Sequence, residues 1–253
     1  MSDLLVFAFL FFIGSCIGWV LEVFFRKFFS KSNPDRKWIN PGFLTGPYLP
    51  IYGFGLWGMY FVSYLSRVAM TGSKTADTVI ILVIMAVVMT VIEYIAGMIF
   101  IRGMKVKLWD YSHERMNIQG IICPKFTFAW GILGCVYYFV INPYVIHWVV
   151  WLSHHLTFSF FIGVFFGVFI IDVCYSMKLG AAIRKLAAEK DMIVKYEELK
   201  NYLHGERERM KEKKRFMFAF KTEGSLRHNL ENFIEDMKRK HIEDMEKRHK
   251  ENI

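Results

Sequence analysis

Apolar residues are gathered into five runs, at about Leu4–Phe25, Tyr48–Leu65, Thr78–Ile101, Phe126–Ile141 and Leu156–Met177, and polar stretches separate them. A hydrocarbon core takes roughly 20 apolar residues of helix to cross. The runs therefore predict five transmembrane helices and an all-α, polytopic membrane protein. The first run starts after Asp3 and is followed, not preceded, by Arg26 and Lys27. That is the reverse of a cleavable secretory leader, so the run is expected to stay in the membrane.

Past Met177 the pattern becomes amphipathic. Leu179, Leu186 and Ile193 fall seven apart, with Ala182, Tyr196 and Leu203 at companion positions, and Leu230, Phe233, Ile234, Met237 and Met245 share one face of a second candidate helix. Such spacing predicts helices that pair as a hairpin or short coiled coil, with Glu189 and Lys200 interrupting the seam. The chain divides accordingly into a transmembrane domain, 1–178, and a charged helical cytoplasmic tail, 179–253.

Composition agrees with this division. Hydrophobic residues make up 54% of the 253, which is too apolar for a soluble domain of this size, and the formal charge is +9. Up to Lys178 there are 13 Lys and Arg against 8 Asp and Glu, and from Leu179 onward 19 against 15. The tail's acids are interspersed with its bases, so no stripe suited to nucleic acid results. Lys211, Lys213, Lys214 and Arg215, beside Phe216, Phe218 and Phe220, form instead a basic-aromatic cluster of the kind that attracts anionic lipid; the alternative is a helix corner packing its aromatics.

Loop charge sets the expected orientation. Arg26, Lys27, Lys31, Arg36 and Lys37 follow the first span, and Arg102, Lys105, Lys107, Arg115 and Lys125 follow the third. The opposite loops hold only Arg67 and Lys74, then none between the fourth and fifth spans, where His147, Trp148, Trp151, His154 and His155 sit. By the positive-inside rule the amino terminus is outside and the carboxyl terminus cytoplasmic, in a multi-pass inner-membrane protein. Cys16, Cys123, Cys135 and Cys174 show neither zinc spacing nor a disulfide framework.

The first four spans carry an internal repeat, about 4–66 and 78–142, followed by a helix at about 156–177. Glu22 and Trp38 are separated by the same 16 positions as Glu93 and Trp109, and Asn40 and Pro47 by the same seven as Asn117 and Pro124. Gly42 answers Gly120, and Phe54-Gly55 answers Trp130-Gly131. Both units run in the same direction, which makes a parallel repeat of two-helix hairpins. Transporters often place their site between such repeats.

Glu22 and Glu93 are the leading functional candidates, because a charged side chain at mid-membrane costs about 2.5–3.5 kcal/mol on insertion scales. The alternative is a structural cap held by Arg26, Arg102 or backbone amides. The loops from Trp38 to Pro50 and from Lys107 to Gly120 are expected to be compact, because non-helical backbone at membrane depth must be buried in protein or line water. They bring Trp38, Asn40, Tyr48, Trp109, Asp110, Tyr111, Ser112 and Asn117 toward the two glutamates as walls and orienting groups. Asp110, His113 and Glu114 have metal-compatible chemistry, but no ligand spacing accompanies them, so neither a metal nor another cofactor is expected. Asp172, late in the fifth span, is a further ionisable candidate.

Soluble-enzyme motifs are missing or out of context. There is no G-x-x-x-x-G-K-[ST] and no G-x-S-x-G, so any ATP hydrolysis belongs to a separate subunit. Gly53, Gly55 and Gly58 spell G-x-G-x-x-G, with Asp77 at about the distance of a ribose-binding acid. No strand pattern surrounds them, however, and Asp77 falls on the far side of the bilayer. These glycines are expected to let helices approach closely.

"GWVLE" (Gly18–Glu22), "NPGFLTGPYLPIYGFG" (Asn40–Gly55), "EYIAG" (Glu93–Gly97), "WDYS" (Trp109–Ser112) and "NIQGIIC" (Asn117–Cys123) run in the order found in a bacterial family labelled putative ABC-transporter permeases, CmpB-like, type IV. The chain resembles that family from about Leu4 to Asn142. The resemblance implies a multi-spanning, permease-like subunit. The two glutamates themselves suggest an inward-facing cavity that holds a cation, proton or amine, and transport driven by ATP would need a separate ATPase. Two other classes stay open: a membrane-embedded lipid-modifying enzyme, and a scaffold recruiting partners through its tail. A homo-oligomer is compatible with all three.

Overall fold

A computed structural model describes residues 3–30, 33, 36–65, 71–189, 192–196, 198–200, 202 and the isolated positions 232, 235 and 239. The basic-aromatic cluster at 211–221 and the second amphipathic segment's apolar face lie outside the described residues. Among the described residues, six α-helices carry the fold: α1 (Asp3–Phe28), α2 (Pro50–Leu65), α3 (Lys74–Met104), α4 (Pro124–Val136), α5 (Asn142–His154) and α6 (Ser159–Glu189). A π-helical turn, Tyr137–Ile141, joins α4 to α5, and a 3-10 turn, Leu156–Phe158, precedes α6. Among the described residues, four stretches are long and apolar enough to cross a membrane: α1, α3, the continuous Pro124–His154, and Leu156–Lys185, which takes in the 3-10 turn and most of α6. The 16-residue α2 is apolar but shorter.

The fourth run was expected to end at about Ile141. The helix instead continues to His154, which places His147, Trp148, Trp151 and His154 on it rather than in a loop. Pro143 has no amide hydrogen, and its ring would crowd the carbonyl four residues back. The wider π turn just before it relieves that clash without ending the helix. Asn142 secures the joint, its Oδ1 accepting from Ser63 Oγ at 3.1 Å and from the Tyr137 hydroxyl at 3.2 Å.

The chain forms two compact units. The first comprises 1–96 and 111–176. Its core joins Phe9 and Leu10 of α1, Met59 and Val62 of α2, Ile81, Met85 and Met89 of α3, and Tyr137, Val145, Leu152 and Ile162 from the later helices. Along α3, Ile81, Met85, Met89 and Glu93 are buried at four-residue intervals, while Val79, Val83, Val87, Val91 and Ile95 form an exposed stripe at the same interval. Both stripes are apolar but for Glu93, as expected of a helix with protein on one side and lipid on the other. The glycines of α2 do serve close approach. A Cβ at Gly53 would meet Ser15 Oγ and the Phe11 carbonyl of α1, and one at Gly55 would meet the Met89 side chain of α3.

The second unit comprises 97–110 and the chain from Met177 onward. Here α6 runs through 178 without a break and ends at Glu189, so Ile193 of the heptad pattern lies beyond the helix. The segment after it forms a short parallel ladder: β1 (Val106–Lys107) pairs with β2 (Val194–Lys195), Val106 opposite Val194. Met104 packs on Gly180, and Val106, Ile183, Ala187, Val194 and Leu199 are fully or almost fully buried. Asp110 sits between Lys107 at 3.3 Å and Lys195 at 3.1 Å. Burial opposes the charge on Lys195, but Asp110 and then Glu198 outweigh it and hold the ammonium above its ordinary pKa.

Ending the chain after Gly180 removes Ile183, Val194 and Lys195 from this unit. The truncated protein is expected to show lower membrane abundance and a lower thermal midpoint in mild detergent than the full chain. An unchanged midpoint would contradict the packing described.

Candidate functional site

The site lies in the first unit and starts from the α1–α2 contact. Gly14, Gly18 and Glu22 are spaced by four, which puts them on one face of α1. A Cβ at Gly14 would stand 2.8 Å from the Tyr52 carbonyl, and one at Gly18 would lie in the Tyr52 ring. The absence of a side chain at Gly18 therefore lets that ring pack against α1, with its hydroxyl donating to Glu22 Oε2 at 2.9 Å. Arg26, one turn on, donates to Glu22 Oε1 at 3.0 Å, which is the cap pairing weighed for this residue. The other edge of Tyr52 meets Trp130 of α4, ring centres 5.8 Å apart.

Trp130 carries the contact to the second glutamate. Its Nε1 donates to Glu93 Oε2 at 2.9 Å, and the Tyr111 hydroxyl donates to Glu93 Oε1 at 3.0 Å. Glu93 is only 3% exposed. Both partners are neutral, and no cation pairs with it among the described residues. Tyr111 is held in place by stacking on Phe126, at 4.2 Å and 10° between planes, and by its own amide donating to the Gly120 carbonyl. Arg26, Glu22, Tyr52, Trp130, Glu93 and Tyr111 thus form one continuous polar and aromatic chain through α1, α2, α4, α3 and the loop before α4.

Two loops carry non-helical backbone to these levels. The first reaches halfway along the 26-residue α1, where the Leu49 amide donates to the Ser15 carbonyl at 2.9 Å. Asn40 orders it: Oδ1 accepts from Trp19 Nε1 and the Gly42 amide, and Nδ2 donates to the carbonyls of Leu44 and Thr45. Asp172 of α6 anchors its tip, accepting from the Thr45 amide at 3.1 Å, the Gly46 amide at 2.8 Å, the Tyr48 hydroxyl at 2.6 Å and Ser176 Oγ at 3.2 Å. The second loop brings Tyr111 to Glu93, eleven residues before the end of α3. Asn117 orders this one, with Nδ2 donating to the carbonyls of Ser112 and Glu114 and Oδ1 accepting from the Gly120 amide.

The expected residues therefore separate. Glu22, Glu93 and Tyr111 belong to the chain of contacts. Asn40 and Asn117 shape loops, Ser112 contributes a carbonyl to one, and buried Tyr48 joins the Asp172 anchor. Trp38 is 59% exposed, with Lys27 Nζ 3.7 Å from its ring centre and Phe24 edge-on to it. Trp109 and Asp110 belong to the second unit, Asp110 engaged by its two lysines. Glu114 is taken by Lys125 at 2.6 Å. Among the described residues no three His, Cys, Asp or Glu side chains come together as metal donors. Tyr52 and Trp130 were not foreseen as site residues. The available signal was Gly14-x-x-x-Gly18-x-x-x-Glu22, which marks a close-packing face ending in a carboxylate.

Replacing Gly18 by Val is expected to drive Tyr52 off α1 and destabilise the protein by about 1–3 kcal/mol, as overpacking does, read as a lower thermal midpoint in detergent. Asp172→Ala leaves several loop donors without their acceptor, an expected loss of about 3 kcal/mol. Limited proteolysis within residues 40–49 checks it, with faster cleavage expected. Unchanged cleavage would mean that the loop does not depend on Asp172.

The model of a family described as putative ABC-transporter type IV matches residues 9–177. That span takes in most of α1, all of α2 to α5 and most of α6, and with them every member of the polar chain. No curated protein and no solved structure matches the sequence. This membrane protein belongs to the putative ABC-transporter type IV family.

Proposed function

We propose that the chain is the membrane-embedded, permease-type subunit of a transporter, and that Glu93 with Glu22 holds a proton or a cationic group in transit through a polar cavity. The observation that carries this reading is the setting of Glu93, a carboxylate nearly removed from solvent whose two partners are neutral donors. Burying such a charge unpaired is costly, and a proton or a cationic ligand supplies what the surrounding side chains do not. Glu22 differs in having Arg26, so the two carboxylates are unequal and linked through Tyr52 and Trp130. A protonated amine suits the same site, because it is a cation that can donate hydrogen bonds to carboxylates.

The loops support the reading independently. Non-helical backbone beside the middle of a spanning helix is tolerated where it lines a cavity or is buried in protein, and transporters commonly build their sites from such interruptions. The basic residues after α1 and α3 favour a cytoplasmic mouth. Energy would come from a separate ATPase, since this sequence has no phosphate-binding loop of its own.

Glu93→Gln keeps the size of the side chain and removes its charge. In cells dependent on this protein, the variant is expected to accumulate in the membrane at wild-type level yet fail to restore function, and the intact protein is expected to copurify with an ATPase from mild detergent. Function lost only in proportion to abundance would make Glu93 a structural residue and overturn its role in transit.

A further inference from the structure

A groove of about 800 Å³ runs between α3 and α4, walled by Leu82, Val83 and Ala86 on one side and Phe128, Gly131 and Ile132 on the other. Its depth follows from small residues, since a Cβ at Gly131 would come no closer than 3.7 Å to that of Ala86. The groove is almost wholly apolar, and its open side continues the exposed valine stripe of α3. Both walls belong to helices long and apolar enough to span a membrane.

The loop before α4 closes one end in an unusual way. Met116, part of the lining, is 82% exposed and has φ 56°, a left-handed conformation that a non-glycine residue adopts at a cost. Asn117 fixes the turn with its three hydrogen bonds, so Met116 is held out rigidly, with the exposed Ile118 beyond it. A strained, ordered turn that presents apolar side chains at the end of an apolar groove fits an apolar occupant lying against them. The adjacent Arg115 is exposed and pairs with no carboxylate among the described residues, whereas Lys125 is already engaged by Glu114.

We propose that this groove is a lipid site: it takes an acyl chain of an anionic glycerophospholipid, covered at one end by Met116 and Ile118, with the phosphate at Arg115. Apolar walls select a chain, and the unpaired guanidinium selects a negative headgroup, for which Arg is geometrically suited. The site is separate from the Glu22–Glu93 chain and does not depend on what that chain carries.

Native mass spectrometry of the full chain in mild detergent, titrated with phosphatidylglycerol or phosphatidylcholine, tests this. Wild type is expected to retain phosphatidylglycerol, and Ala86→Phe or Gly131→Leu, which fill the groove, to lose it. Arg115→Gln is expected to weaken phosphatidylglycerol binding about fivefold, the equivalent of about 1 kcal/mol for one near-surface cation, with phosphatidylcholine unaffected. Met116→Gln, exposed and therefore compatible with folding, is expected to weaken both lipids and serves if a groove-filling variant lowers the thermal midpoint. Filled variants that bind like wild type, or an Arg115→Gln variant with unchanged lipid preference, would overturn the proposal. So would a wild-type dimer that becomes monomeric when the groove is filled, because the occupant would then be a second copy of the chain.

Discussion

Backbone amides and carbonyls placed beside the middle of apolar helices must find partners without help from bulk water, and two loops of this protein are in that position. Asn40 and Asn117 solve the problem alike: each carboxamide donates to two carbonyls of its own loop and accepts from a glycine amide just downstream. Asp172 adds an acceptor from a distant helix where the first loop turns. With the loops held, Tyr48 and Tyr111 are fixed on their carboxylates, and α2 and α4 can begin at the level where the acids lie. Were the loops loose, neither helix would have a defined starting point.

The second determinant is close packing without side chains. Gly14, Gly18 and Gly53 let α1 and α2 touch backbone to backbone, which brings Tyr52 within reach of both Glu22 and Trp130. In lipid the hydrophobic effect contributes little to helix association, and van der Waals contact with a few polar bonds does most of it. The same contacts that hold the helices together therefore also place the charged site. That economy explains why the polar chain crosses several elements with so few residues.

Much of this was legible in the sequence, within limits set by physics. Hydropathy located the apolar helices because a bilayer demands length and apolarity and little else. It misplaced the end of the fourth, since nothing local announces a π turn. Glu93 was identified by its charge alone; its burial follows from a face that hydropathy could not separate, because α3 is apolar on both sides. Asp172 was recognised as ionisable, but its partners are some 126 positions away in the chain. Trp38 and Trp109 matched by spacing, yet Trp38 stands under Lys27 at the exposed end of α1, where the repeat's count of positions says nothing about direction. Gly14 and Gly18 were passed over because the louder glycine pattern lay in α2.

The π turn between α4 and α5 has a geometric consequence of its own. A widened turn holds one residue more than an α-helical turn would, so everything beyond it is rotated by about 100° about the axis relative to an unbroken helix. Trp130 ahead of the turn and Val145 and Leu152 beyond it all pack into the core. Angular registry along this helix is counted separately on each side of residues 137–141.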